Sequence, residues 1–308
     1  MEDGAETIRY SFVIPAYNYA NYIGSTIESV LDQAISRCDI EVIVVDDGST
    51  DETWGVLEYK AKRDRRLRVF HQDNQGPSVA RNFGAAMALG EFLWFLDADD
   101  RLVDGAISVF DRALKRFPDL DMLFGGYQSF HDEKEGKRNV PIEGFRKSKS
   151  IFLRSIFSEL PGLCVGSSII RRDIFSKIEF PEGVHNSEDT VMYSLVISIG
   201  RVFSVSEVVV FTRRHSASLR NSVSMNVESG IKAAESLFGN EVIPREYCKY
   251  KSRFLSYRYL EMSRLYYLNG MNRQCLEMYV RGVSIYPRNV FLFSYFRKFL
   301  KTIFRSFY

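Results

Sequence analysis

The feature that most restricts the fold is an alternation in the first part of the chain, where short β-branched or aromatic runs are each followed by a stretch of helical periodicity. Strands are predicted at Tyr10 to Ile14, Glu41 to Val45, Leu67 to His71 and Phe92 to Leu96. Between them, Ile23, Ile27, Val30, Leu31, Ala34 and Ile35 recur at helical spacing, and Val79, Phe83, Ala86 and Met87 share one helix face. Ser49 and Glu52 have the spacing of a capping box for a helix through Leu57 and Ala61. The run ending at Val45 is almost continuously apolar, as a strand buried on both faces must be. Strand and helix in alternation predict an α/β protein with a mainly parallel central sheet.

In open parallel sheets a ligand sits beyond the carboxyl ends of the strands. The residues there are polar: Pro15-Ala16-Tyr17-Asn18 after the first strand, Asp46-Asp47-Gly48-Ser49-Thr50-Asp51 after the second and Asp97-Ala98-Asp99-Asp100 after the fourth. Asp97 and Asp99 are two residues apart, so in an extended segment their carboxylates point the same way. Hard oxygens so placed suit Mn2+ or Mg2+, which would take its remaining ligands from water and a diphosphate. The alternative is a solvated acidic turn ahead of the helix signalled by Ile107, Phe110, Leu114 and Phe117. Asp46 and Asp47 can likewise form a turn through Gly48, or accept the N3 hydrogen of uracil while Tyr17 stacks on the base.

Taken together, Phe12 to Asn18, Val45 to Asp51, Asn74 to Asn82 and Phe95 to Asp100 resemble, in order and spacing, the family-2 glycosyltransferases of the GT-A fold. That resemblance implies a GT-A nucleotide-binding sandwich and inverting transfer of a sugar from a nucleotide diphosphate, UDP foremost, to a hydroxyl of a glycan or lipid-linked glycan. It places Pro15, Tyr17 and Asp47, with neighbouring Asp46, at the nucleobase. Arg81 falls in the family's Gly-x-x-x-Ala-Arg-Asn pattern and reaches toward the donor or the aspartates. Asp97 lies near the ribose or donor sugar, Asp99 on the metal, and Asp100 beside them. Glu188-Asp189 occupies the position of the family's acidic pair, with Asp189 the proton acceptor and Glu188 second. As plain sequence the same pair only complements a helix dipole. His215 stands where the fold places a metal-binding histidine, and Gly166 to Ser168 resembles the segment lining the acceptor side.

The rest of the chain reads as follows. Residues from His131 to Ser150 are polar and aperiodic, which predicts an exposed loop. An apolar segment at Leu163 to Ile170, a helix from Glu188 to Ile199 and a strand at Val202 to Phe211 follow, and from Val227 only helices are expected. Leu265 to Arg288 resembles one hairpin of the tetratricopeptide kind. This divides the chain into a catalytic region, 1–222, and a helical region, 223–308.

From Arg245 onward there are 13 Lys or Arg against 3 Asp or Glu, whereas the preceding residues hold 28 against 36. At the end, Leu292, Phe293, Phe296, Phe299, Leu300, Ile303, Phe304 and Phe307 repeat at helical spacing, with Arg297, Lys298, Lys301 and Arg305 gathered opposite. Such a basic amphipathic helix, within 288–308, suits an anionic membrane surface better than nucleic acid, or else packs on the preceding hairpin or on the second subunit of a homodimer. Cys38, Cys164, Cys248 and Cys275 show no metal-ligand spacing and read as reduced thiols. The start of the chain lacks a secretory pattern and no run is long enough to span a bilayer, so the expected location is cytoplasmic, peripheral on the inner face of the membrane. A nucleotidyltransferase and a non-catalytic scaffold of glycan assembly are the competing readings.

Overall fold

The computed structural model describes residues 7–35, 37–131, 134–145, 149–157, 159–185, 187–214 and 223–306, without the side chains of 223–228 and 305–306. The first four strands are β1 (Tyr10–Ala16), β2 (Ile40–Asp46), β3 (Leu67–His71) and β4 (Phe92–Phe95), joined by helices α1 (Ile23–Leu31), α2 (Thr53–Ala61) and α3 (Pro77–Ala86). They pair in parallel in the order β3-β2-β1-β4. The chain therefore runs outward from β1 to β3 and then returns to β1's other side. That reversal opens a crevice between the carboxyl ends of β1 and β4.

Beyond β4 come β5 (Arg101–Leu102), α4 (Ala106–Arg116), β6 (Met122–His131), β7 (Lys134–Asn139), β8 (Gly144–Phe145), α5 (Lys149–Ile156), β9 (Ser168–Arg171), α6 (Arg172–Phe175), α7 (Glu188–Ile199) and β10 (Val202–Arg213). They extend the same sheet to β9-β6-β10-β5, with β9 antiparallel to both β4 and β6. The polar segment expected as a loop instead forms β7, which pairs antiparallel with β6, and β8, which pairs with β10. Lys134–Asn139 is almost wholly exposed on both faces, so its backbone pairing leaves no apolar alternation to read. The expected capping box also fails. Ser49 Oγ accepts from the Asn18 amide, and it is the Asp51 carboxylate that accepts the Thr53 amide at the start of α2.

Alternating side chains of β1, β2 and β4 feed two cores. Phe12, Ile14, Val42, Val44, Phe92 and Trp94 pack on one face with Ile23, Ile27 and Val30 of α1 and Ile107 and Phe110 of α4. Val13, Ile43, Val45, Leu93 and Phe95 face the other side, where Val191, Leu195 and Val196 of α7 complete the packing. That second core continues into α8 (Val223–Phe238), α9 (Arg245–Cys248) and α10 (Lys251–Leu268) through Ala233, Leu237, Tyr247 and Phe254. The expected boundary after 222 falls at the edge of residues outside the described set. Next, α10 and α11 (Asn272–Ile285) make a hairpin, and α12 (Phe293–Ser306) closes the chain against it. No helix among the described residues is long and apolar enough to cross a membrane. None of the four cysteines is in a disulfide.

Helix α3 approaches the sheet at Gly84, where a Cβ would lie 2.5 Å from Val13 Cγ1 and 3.3 Å from Val45 Cγ2. Both neighbours are β-branched and fully buried, so neither rotates away without a cost. Gly84→Val should destabilise the protein by at least about 2 kcal/mol through overpacking. A thermal melt no lower than the parent's would show that α3 has room to move.

Candidate functional site at the carboxyl edge of the sheet

The loops after β1 and β2 are bound to each other through Asn18. This residue takes a left-handed conformation (φ 60°), which asparagine tolerates better than most residues. Its Oδ1 accepts from the amides of Thr50 at 2.8 Å and Asp51 at 3.3 Å. Tyr17, just before it, is 43% exposed, and Pro15 lies buried in β1 opposite Val45. Asp47 is buried and accepts three hydrogen bonds, from Gln72 Nε2 (2.7 Å), the Gln75 amide (2.9 Å) and the Gly76 amide (2.8 Å). A carboxylate offers about four acceptor positions, so one more donor can still be received. Asp46 differs. Its side chain is fully buried and holds His71 Nδ1 at 2.7 Å through Oδ2.

After β4, the Asp100 amide donates to the Asp97 carbonyl and closes a tight turn. Asp97 is the accessible carboxylate of the three, its side chain 42% exposed, while Asp99 and Asp100 are buried. Asp100 Oδ1 accepts the Arg213 amide at 2.9 Å, tying the acidic turn to the end of β10. Tyr19 lies against the cluster, and burial together with the charges of Asp99, Asp97 and Asp100 pushes its phenol well above the usual tyrosine range.

Arg81 connects this turn to the start of α7. Its guanidinium donates through Nη2 to Asp97 Oδ1 at 2.7 Å and through Nη1 to Glu188 Oε1 at 3.3 Å. Burial alone would favour the neutral form, but Asp97 and Glu188 hold it charged. The next residue supports it from below: Asn82 exchanges two hydrogen bonds with the backbone of Phe180, each 2.9 Å, and the Phe180 ring lies 5.1 Å beneath the Arg81 guanidinium. Arg81 thus has a carboxylate on each side, Asp97 and Glu188.

Glu188 and Asp189 open α7 after Ser187. Burial and the neighbouring Asp189 charge raise the Glu188 carboxyl above the usual range, with Arg81 opposing. Glu188 Oε2 is buried with no hydrogen-bond partner among the described residues. Asp189 borders a cavity of about 70 Å³ lined also by Ser155, Leu160, Leu163, Thr190 and Tyr193. Gly166 to Ser168, expected on the acceptor side, is buried, and Gly166 accepts the Trp94 indole N–H through its carbonyl at 2.8 Å.

His215 lies outside the described residues. Among those described, no group of three or more His, Cys, Asp or Glu side chains is arranged to hold a metal. A small divalent cation needs only one or two carboxylates when a diphosphate and water complete its shell. Asp97 and Asp99 supply hard oxygens of that kind, so the donor set fits. Asn18, Gln75 and the Arg213 backbone are the structural partners that sequence reasoning did not single out. Only Asn18, directly after a strand end, carried a local signal.

Residues 11–179 match the family model described as Glycosyl transferase family 2. Over 220 residues the chain is 26% identical to the glycosyltransferase GlyG of Streptococcus pneumoniae, covering 68% of this chain and 72% of that protein. It is 30% identical over 195 residues to an uncharacterized glycosyltransferase of Rickettsia felis, covering 62% of this chain but only 30% of the longer rickettsial protein. Its fold is similar to the crystal structure of S. aureus TarS 1–349 in complex with UDP-GlcNAc, with TM-score 0.67 and 20% identity, covering 96% of this chain and 89% of that one.

Because folded Glu188 binds its proton more tightly than an unfolded glutamate, its share of stability is complete below the ordinary carboxylate range and is lost as pH rises through the raised value. Glu188→Gln abolishes that titration. The melting temperature of the parent minus that of the variant should therefore decline as pH rises from about 4.5. A difference that stays flat would mean that Glu188 titrates as an ordinary surface carboxylate.

Proposed function

The chain belongs to glycosyl transferase family 2, and from that premise we propose that it is an inverting transferase moving a sugar from a UDP-sugar to a hydroxyl of a surface glycan or its lipid-linked precursor. The observation that carries this is the Arg81 bridge, which holds a donor-side carboxylate, Asp97, and the acidic pair Glu188-Asp189 at one site. In this reading Tyr17 stacks on the base and Asp47 receives its imide hydrogen. Asp97 and Asp99 hold Mn2+ or Mg2+, which when bound would neutralise charge on the departing diphosphate.

On the other side Asp189 accepts the proton of the acceptor hydroxyl. The acceptor oxygen then forms its bond to the anomeric carbon while the bond from that carbon to the diphosphate oxygen breaks. The electron pair leaves with the nucleoside diphosphate. Direct displacement inverts the anomeric carbon. Glu188 is less suited to be the base because its Oε1 is already engaged by the Arg81 guanidinium. A nucleotidyltransferase is disfavoured by the absence of a Gly-rich phosphate loop after β1, where Pro15-Ala16-Tyr17-Asn18 stands. A scaffold without activity would have no need of the carboxylates clustered at this edge.

The outer face of α12 supports a peripheral membrane position. The helix packs inward through Phe299, stacked on Tyr279 at 4.1 Å, and through fully buried Thr302. The opposite stripe leaves Phe293 73%, Leu300 38% and Phe304 65% exposed, with Phe291 at 84% just before it. Arg297 and Lys301 flank these residues, and no Asp or Glu follows Glu277 in the chain. Apolar side chains among unopposed cations suit an anionic lipid surface, each cation adding about 1 kcal/mol there. Phe307 and the Arg305 side chain, part of the same expectation, lie outside the described set.

For the reaction, Asp99→Ala should abolish both transfer and the Mn2+-dependent rise in melting temperature given by UDP-GlcNAc or another UDP-sugar, whereas Asp189→Asn should keep that rise and lose most of kcat. NMR of the product should show inversion, and a retained configuration or an active Asp189→Asn protein would sink the proposed base. For the membrane face, the parent should sediment with phosphatidylglycerol vesicles more than with phosphatidylcholine vesicles, and a Phe293→Ser, Phe304→Ser protein should stay in solution. If neither protein sediments and the parent alone forms a dimer, the face belongs to a second copy of the chain.

A further inference from the structure

Helix α7 begins in an unusual way. Its N-cap residue is Ser187, a type that ordinarily turns its hydroxyl back onto the first amides of the helix, yet here there is no side-chain capping bond. Instead Ser187 Oγ accepts from Nη2 of Arg258, which sits 71 residues later on α10. The same guanidinium donates from Nη1 to Glu261 Oε2 at 2.7 Å. Both residues are largely buried, Arg258 with 15% of its side chain exposed and Ser187 with 1%. Two residues earlier a second tie is made. Ser229 of α8 accepts from the His185 amide at 2.7 Å and donates its hydroxyl to the His185 carbonyl. The segment leading into Glu188-Asp189 is therefore held by side chains of the helical region.

A cation at a helix N-terminus opposes the helix dipole, so this placement does not help α7 form. Nor does it add much to the packing of α10, whose Arg258 is already paired with Glu261 within its own helix. What the contact does accomplish is geometric: it fixes Ser187, the residue directly before Glu188 and Asp189.

We propose that Arg258 is a positioning residue for the acidic pair, acting through Ser187, and that the helical region is in this way a working part of the active site. This rests on the reading of Asp189 as the base. A hydroxyl proton is transferred only across hydrogen-bond distance, and a misplacement of about 1 Å can cost on the order of 100-fold in rate. Arg258's hydrogen bonds go to Ser187 and Glu261 and none to the ends of β1, β2 or β4, so the donor side should be affected far less.

The test compares Ser187→Ala, Arg258→Met, the double variant and Arg258→Lys in the full chain, using Mn2+-dependent release of UDP from UDP-GlcNAc or whichever UDP-sugar raises the parent's melting temperature. Each single variant and the double should lose about 10- to 100-fold in kcat, by similar amounts because both members serve one contact, while donor KM changes less than about twofold. Arg258→Lys keeps a donor for Ser187 and should recover part of the rate. The proposal is overturned by parent-like rates, by losses that multiply in the double variant, or by donor KM rising together with the fall in kcat. An Asp189→Asn protein as active as the parent would overturn the base assignment instead.

Discussion

A single buried guanidinium organises this molecule. Removing a charge from water costs several kcal/mol, and Arg81 offsets that only by keeping a carboxylate on each side. Arginine stays protonated under any condition in which the protein is folded, and its planar fork sets the distance between what it holds. Asp97 on the acidic turn and Glu188 at the head of α7 are consequently spaced by a rigid unit, not by flexible loops. The rest of the local architecture serves that arrangement. Gly84 lets α3 lie close to β1, and Asn82 clamps Phe180 under the guanidinium.

How much of this was legible in the sequence depended on whether a signal was local. The strands β1 to β4 and the helix α7 were readable because each is an uninterrupted apolar or periodic run, and the polar residues at their ends marked the ligand edge. The hairpin strand Lys134–Asn139 was not, since an exposed strand held by backbone bonds to β6 has no need of apolar residues. Ser49 fitted a capping pattern but was drawn to Asn18 across the loop, a competition that one segment alone cannot reveal. Of the two adjacent aspartates, Asp47 and Asp46 proved to serve different masters, the β3 to α3 loop and His71 respectively. The pairing of Arg258 with Ser187 had no trace in the sequence at all, because neither residue is unusual where it stands.

The helical region deserves its place in the same account. A separable appendage would have its own core, whereas Ala233, Leu237 and Phe254 share one with Val13 and Phe95 of the sheet. The outward-facing aromatic residues of α12 and the inward-facing Arg258 of α10 belong to one packed unit. The outer stripe of α12 is thereby connected, through a few packed helices, to the segment that carries the acidic pair.

The order in which these parts leave the ribosome follows from the topology. The polar motifs at the carboxyl edge of the sheet are complete once Asp100 has been made, but the clasp on Asp100 waits for Arg213 in β10, and the contact on Ser187 waits for Arg258. At a synthesis rate of about 5 to 20 residues per second, the 71 residues from Ser187 to Arg258 take roughly 4 to 14 s. Meanwhile β6 stays without its parallel neighbour β10, because some 70 intervening residues must be made before the two can pair. A nascent or prematurely terminated chain thus displays every recognisable motif of its N-terminal half with an open sheet edge and an unanchored acidic helix, which makes it a substrate for chaperones and proteases before it is a catalyst.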